Sequence, residues 1–194
     1  MLLPSARDSG YHGSMFAAPA SELAPLPQNL EAVIRNYDPE AQLTARGLFS
    51  LYGMPDEASA THMVWLDRGP FLSTVVDAKC TPTNFPVPHH ACVEQSVAYP
   101  VGNALGKFDA LGAFDGALSL KRTQGILTVR HDSPALNLIA LNLAHEIITG
   151  RRNWQQARAY FGQAARAVRS GVAVPYAQGL VFRPIASEDA DVSV

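Results

Sequence analysis

With 194 residues the chain is long enough for one domain with a substantial core and too short for two. Only 16% of the residues are charged, against roughly 25% in an average domain, and 47% are hydrophobic, so some surface is expected to be covered, most simply by self-association into a dimer. A net charge of −2 speaks against nucleic acid or a membrane surface as partner. No apolar run approaches the ~18 residues of a membrane-spanning helix. The first residues contain no apolar stretch of signal-peptide length, and a cytoplasmic location is the expectation.

Residues 1–28 hold Pro4, Pro19, Pro25 and Pro27 without a sustained period and read as a flexible arm, with Met15 as an alternative start. A single domain is expected over 29–185, followed by an acidic tail at 186–194. Asn29 is a candidate cap for a short helix that carries Leu30, Val33, Ile34 and Tyr37 on one side, and Asp38-Pro39 ends it. Arg46–Tyr52 has the composition of a strand ending at Gly53. Ala60–Leu66 and Phe71–Val76 flank the turn Asp67-Arg68-Gly69-Pro70 and predict a hairpin. Thr81–Pro88, with three prolines, is extended connection or sheet edge, and Val93–Tyr99 is a further strand.

A tandem hexapeptide at 104–115 has too few copies for a stacked repeat and reads as loop or broken helix. Ala117–Arg122 and Ile126–His131, joined through Gly125, form a second predicted hairpin. Ser133 caps the next helix, Pro134 takes its first position, and Gly150 stops it. Asn153 and Gln156 form a capping box for a last helix, whose packing side is Trp154, Ala157, Tyr160, Phe161, Ala164, Ala165 and Val168. Pro175–Phe182 reads as a final strand. The fold class is therefore α+β: a mostly antiparallel sheet of roughly five to seven strands with a C-terminal αα-hairpin on one face.

The chemistry concentrates on helix 134–149. At about 100° per residue its aliphatic side chains fill a broad arc, and Asn142, His145, Glu146 and Thr149 share the rest, with no Lys or Arg among them. A polar stripe with an imidazole and no cation suits a pocket wall or a subunit contact, and equally a face that is partly solvated or hydrogen-bonded to the adjoining helix. His145-Glu146 begins like a zinc-protease helix, but that motif needs a second His at position 149, which is Thr. What survives is His145 as general acid/base, oriented by Glu146 or Asn142. Asn137 interrupts the apolar arc as a pin to the sheet or as a ligand contact. His131 ends its strand beside Asp132 and Ser133; if it approached His145, a polar pocket beneath the helix would follow.

Cys80 and Cys92 make no disulfide framework; they could bridge, but a reducing compartment favours two free, buried or half-buried thiols. By ligand type His90 and Cys92 are the best metal candidates, since alternate residues of a strand share a side while His89 points away. No cofactor is evident. Arg151, Arg152, Arg158, Arg166 and Arg169 form either an anion patch or a row of stems lying along apolar surface, with Glu188, Asp189 and Asp191 as counter-charge. The sequence lacks a phosphate loop, a Gly-x-Ser-x-Gly elbow, a calcium loop and a Cys-x-x-Cys pair. Two readings stand. In the first, the chain is a soluble binding protein for an unknown small molecule, held between the sheet and helix 134–149; its enzymatic form uses His145, Glu146 and His131 as catalytic groups and Asn137, Asn142 and Thr149 as ligand contacts. In the alternative it is a non-catalytic homo-oligomeric scaffold whose stripe is the subunit contact.

Overall fold

The computed structural model describes residues 23–104 and 106–186. Its elements run α1 (Gln28–Ile34), α2 (Pro39–Tyr52), β1 (Glu57–Ala58), β2 (His62–Arg68), β3 (Phe71–Thr83), β4 (His89–Ala98), α3 (Phe108–Phe114), β5 (Leu118–Lys121), β6 (Ile126–His131), α4 (Pro134–Ile148) and α5 (Trp154–Arg169). The strands form one antiparallel sheet in the order β1-β2-β3-β4-β6-β5. The fold is α+β, as expected. The termini assigned to the arm and the acidic tail, with Met15, Glu188, Asp189 and Asp191, lie almost wholly outside the described residues.

Cross-strand partners share a face of a sheet. Trp65, Thr74, Gln95 and Val129 are successive partners across β2, β3, β4 and β6 and are all fully buried. Over one half of this face lie α1 and α2, which bury Leu30, Ile34 and Leu48 against Met63, Trp65, Val76 and Val93. Over the other half lie α3, α4 and α5, which bury Phe114, Leu136, Ile139, Leu143 and Phe161 with Leu127 and Val129. The opposite face is polar. There Arg130 pairs with Asp77, and Ser96 hydrogen-bonds Thr128 at 2.9 Å.

Both predicted hairpins form, and the side-chain caps of Ser133, Asn153 and Gln156 are present; Asn29 is not a cap, because α1 begins at Gln28 behind Pro27 with no side-chain cap bond. Ser133 Oγ accepts from the Leu136 amide, and Asn153 and Gln156 bond each other's backbone reciprocally. Gly150 adopts φ +74°, a left-handed conformation in which an L side chain is strained. Four further expectations need correction. Arg46–Tyr52 is the second half of α2, because Ala41, Ala45 and Leu48 recur at helical spacing and are fully buried against the sheet. Asp38-Pro39 starts that helix as well as ending α1, with Pro39 at its first position. Asp38 makes no side-chain cap; its oxygens accept instead from Lys79 Nζ (2.8 Å) and the Cys80 amide (2.9 Å), tying α2 to β3.

The third correction concerns the cysteines. β3 carries an irregularity between Val76 and Thr81, where its register on β4 shifts. This brings the Cα atoms of Cys80 and Cys92 to 4.5 Å, within the range of a disulfide, and the two are bridged. The antiparallel pairing puts the thiols opposite one another; a residue-by-residue reading had no access to that. Fourth, Pro175–Phe182 adds no strand: Pro175–Ala177 is a 3-10 turn and the chain beyond it is irregular. Its backbone groups bond a side chain of α4, described next.

Candidate functional site

Helix α4 is sequestered along nearly its whole length. From Pro134 to Ala144 every residue is buried, and only His145 and Glu146 are half-buried and Thr149 exposed at its end. The chain's own C-terminal segment covers the stripe at Asn142 and reaches Glu146. Asn142, 0% exposed, donates from Nδ2 to the carbonyls of Tyr176 (3.1 Å) and Gly179 (2.8 Å), and its Oδ1 accepts from the Val181 amide (2.8 Å). All of its hydrogen-bonding directions but one are thereby engaged. One turn on, Glu146 accepts from the Tyr176 hydroxyl (2.8 Å) and from Arg152 Nε (2.6 Å).

His145 and Glu146 have different partners. The His145 ring stacks on Phe182 (centroids 4.7 Å, planes 19° apart), and its Nδ1 lies 2.9 Å from the Tyr99 hydroxyl. Burial pushes the Tyr99 phenol up to about 12 and, together with the nearby Arg151 charge, holds His145 below its ordinary range against the pull of Glu146. Both groups are therefore neutral at pH 7, so the phenol donates and Nδ1 accepts. Thr149 turns its hydroxyl back onto the His145 carbonyl (2.8 Å) in its own helix.

A pH dependence follows from His145. Its folded-state value is depressed, so between that value and the ordinary 6.5 the unfolded chain binds more protons than the folded one. This contribution to stability is complete above pH 6.5 and declines as pH falls toward the folded value. Thermal melts from pH 7 to 5 are expected to show a smaller loss of Tm in His145→Gln, which keeps an acceptor for Tyr99, than in the wild type. Equal slopes would contradict the assignment.

Beside Phe182 lies a cavity of about 250 Å³. Phe71 at the start of β3, Leu138 of α4, and Gly179, Leu180, Phe182 and Pro184 of the C-terminal segment line it. It sits between sheet and α4, the location expected of a pocket, but its lining is apolar and includes none of the polar residues proposed for it. Asn137 lies elsewhere and pins helix to sheet, donating to the Val93 carbonyl (3.2 Å) and Gln95 Oε1 (3.1 Å). Only its Oδ1 lacks a protein partner.

His131 and His145 belong to opposite ends of α4. From Pro134 to His145 the helix rises about 16 Å, and the two imidazoles have different partners. His131, 0% exposed, does not turn to Asp132 or Ser133; its Nε2 lies 2.9 Å from Oδ2 of Asp115, itself 3% exposed. Asp115 is held by the Ala117 amide on Oδ1. The other ring nitrogen, Nδ1, is 3.4 Å from Nε2 of His89, whose Nδ1 lies 2.7 Å from the Val87 carbonyl oxygen. Phe161 meets the His131 ring edge-on.

His90 faces away from this group and pairs with Glu40 at 3.0 Å. The His90/Cys92 metal pair is overturned, because the Cys92 sulfur is bonded to Cys80 and no thiolate is free to bind. Two arginines of α5 have individual partners: Arg158 lies over the Phe85 ring and bonds the Phe114 carbonyl, and Arg169 bonds Asp132 and the Pro88 carbonyl.

Tyr99, Tyr176, Phe182, Asp115 and His89 were not assigned to a site from the sequence. His89 alone had a legible signal there, since strand alternation turns it away from His90. No protein-family model, curated protein or solved structure matches this chain.

Proposed function

We propose that the protein binds a small, mostly apolar molecule in the cavity beneath segment 179–184. The observation that supports this is the cavity's chemistry: about 250 Å³ walled by Phe71, Leu138, Leu180, Phe182 and Pro184. An apolar cavity of roughly 150 Å³ is large enough to stay dry and take up benzene, so a single-ring aromatic or a short aliphatic chain is the expected occupant. Phe182 joins the cavity wall to the His145–Tyr99 pair, so a ligand that displaces this ring is reported at His145. The enzymatic form of the reading requires His145 Nδ1 to exchange Tyr99 for substrate.

Gly179 offers the test, because a Cβ added there meets no heavy atom within 4 Å and its φ is unexceptional. Benzene, indole and hexanol are expected to raise the Tm of the wild type in thermal-shift measurements. Gly179→Leu is expected to stabilise the free protein by about 1 kcal/mol and to abolish that response. A wild type unmoved by all three probes defeats the reading.

Dimerisation is proposed from the low charge fraction alone. With the α4 stripe occupied by the chain's own segment, a subunit contact would use another surface, and sedimentation velocity decides whether one forms. A cytoplasmic home is a further proposal, and it no longer has the support of free thiols, since disulfides persist chiefly in oxidising compartments. Thiol labelling of Cys80 and Cys92 in cell extracts tests it: labelling of both supports the proposal, and an intact bridge removes it. Among the described residues no helix is long and apolar enough to cross a membrane.

A further inference from the structure

The buried line of Asp115, His131 and His89 holds a site that the cavity does not involve. The Val87 carbonyl can only accept, so the 2.7 Å contact places a proton on Nδ1 of His89. The Asp115 carboxylate likewise places a proton on Nε2 of His131. In the neutral rings this leaves lone pairs on Nε2 of His89 and Nδ1 of His131, and these two atoms face each other at 3.4 Å. Such a pair repels unless a positive centre sits between them.

We propose that Nε2 of His89 and Nδ1 of His131 form an open, two-nitrogen binding site for a borderline divalent metal ion of the zinc(II) type. Two imidazole nitrogens on a tetrahedral zinc, each about 2.05 Å from the ion, are about 3.3–3.4 Å apart. The spacing here matches, with ring centroids 5.4 Å apart. The outer contacts match as well: a metal-bound His usually donates its other N–H to a carboxylate or a backbone carbonyl, which sets the tautomer and raises ligand basicity. His131 has the first kind of partner and His89 the second.

The local charges leave room for a cation. Asp115 and Asp132 are the anions nearest the two rings, and the Arg169 guanidinium is engaged by Asp132 and the Pro88 carbonyl. Among the described residues no group of three or more His, Cys, Asp or Glu side chains is arranged to hold a metal. The remaining coordination positions therefore fall to water or an exogenous ligand, reached from the half-buried side of His89.

The test uses the full chain, freed of metal by a chelator. At pH 7.5 an excess of zinc(II) is expected to raise Tm by about 3–6 °C where magnesium(II) does not, and cobalt(II) should give the visible absorption of a low-symmetry site. His89→Gln alters a half-buried ring at the strand end and should fold; it is expected to lose both responses. His90→Gln, which faces Glu40, is expected to keep them. The proposal is overturned if zinc has no effect on the wild type, if the effect survives in His89→Gln, or if nitrogen NMR of the metal-free protein at pH 7.5 finds the facing nitrogens sharing a proton that zinc does not displace.

Discussion

Asn142→Leu is expected to lose about 3 kcal/mol of stability and roughly 6–12 °C of Tm, the largest effect of any single substitution on the α4 stripe. The side chain is 0% exposed and satisfies two carbonyls and one amide of the segment 176–181. Leucine fills a similar volume but bonds none of them. The cost is that of leaving backbone groups unpaired, about 1 kcal/mol or more for each group that water cannot reach after relaxation. Hydrogen exchange should show the effect locally, as lost protection of the Val181 amide, and protease cleavage should move into residues 174–186. Glu146→Gln retains an acceptor for Tyr176 and loses only the charge opposite Arg152, so its effect should be smaller. Asn142→Leu melting within about 1 kcal/mol of wild type, with Val181 still protected, would show that the segment is held by Phe182 and its apolar neighbours instead.

Reduction of the Cys80–Cys92 bridge is expected to cost a similar amount, about 3 kcal/mol, from the chain entropy regained when a loop of this length opens. The bridge spans twelve positions and joins β3 to β4 beside the register shift, where the ladder is interrupted. Urea unfolding with and without reductant measures the difference, and Cys80→Ala/Cys92→Ala provides the control, since reductant should leave its midpoint unchanged. Cys92 is 1% exposed and packs in the core under α2, so alanine is preferable to serine there. A wild-type midpoint indifferent to reductant would mean that the bridge adds nothing to the native state.

The two expectations arise from features of opposite legibility. The Ser133 cap, the Asn153/Gln156 box and the Gly150 stop could be read directly, because each is a bond or a dihedral preference within four residues of chain. The alternation of Met63 and Trp65 against His62 and Val64 was legible for the same reason. Helix α2 was missed because Leu48, Phe49 and Tyr52 suit a strand by composition. Their helical state depends on the face that Ala41, Ala45 and Leu48 bury against β2 and β3. Of the polar stripe of α4, Asn142 is fully buried, and the groups that satisfy it lie over thirty positions away in sequence.

By itself, then, the sequence determined the fold class, the ends of α4 and the start of α5, and the absence of cations along α4, all consequences of local periodicity, composition and capping. Only the tertiary structure decided what that character serves. Asn142 faces Tyr176 and Gly179, His131 faces Asp115 and His89, and Cys80 faces Cys92. A buried polar group must find a partner, and that requirement can be read from the residue alone. Which partner it finds depends on how distant segments are brought together, so His131 turned from the adjacent Asp132 to an aspartate sixteen positions back in the chain.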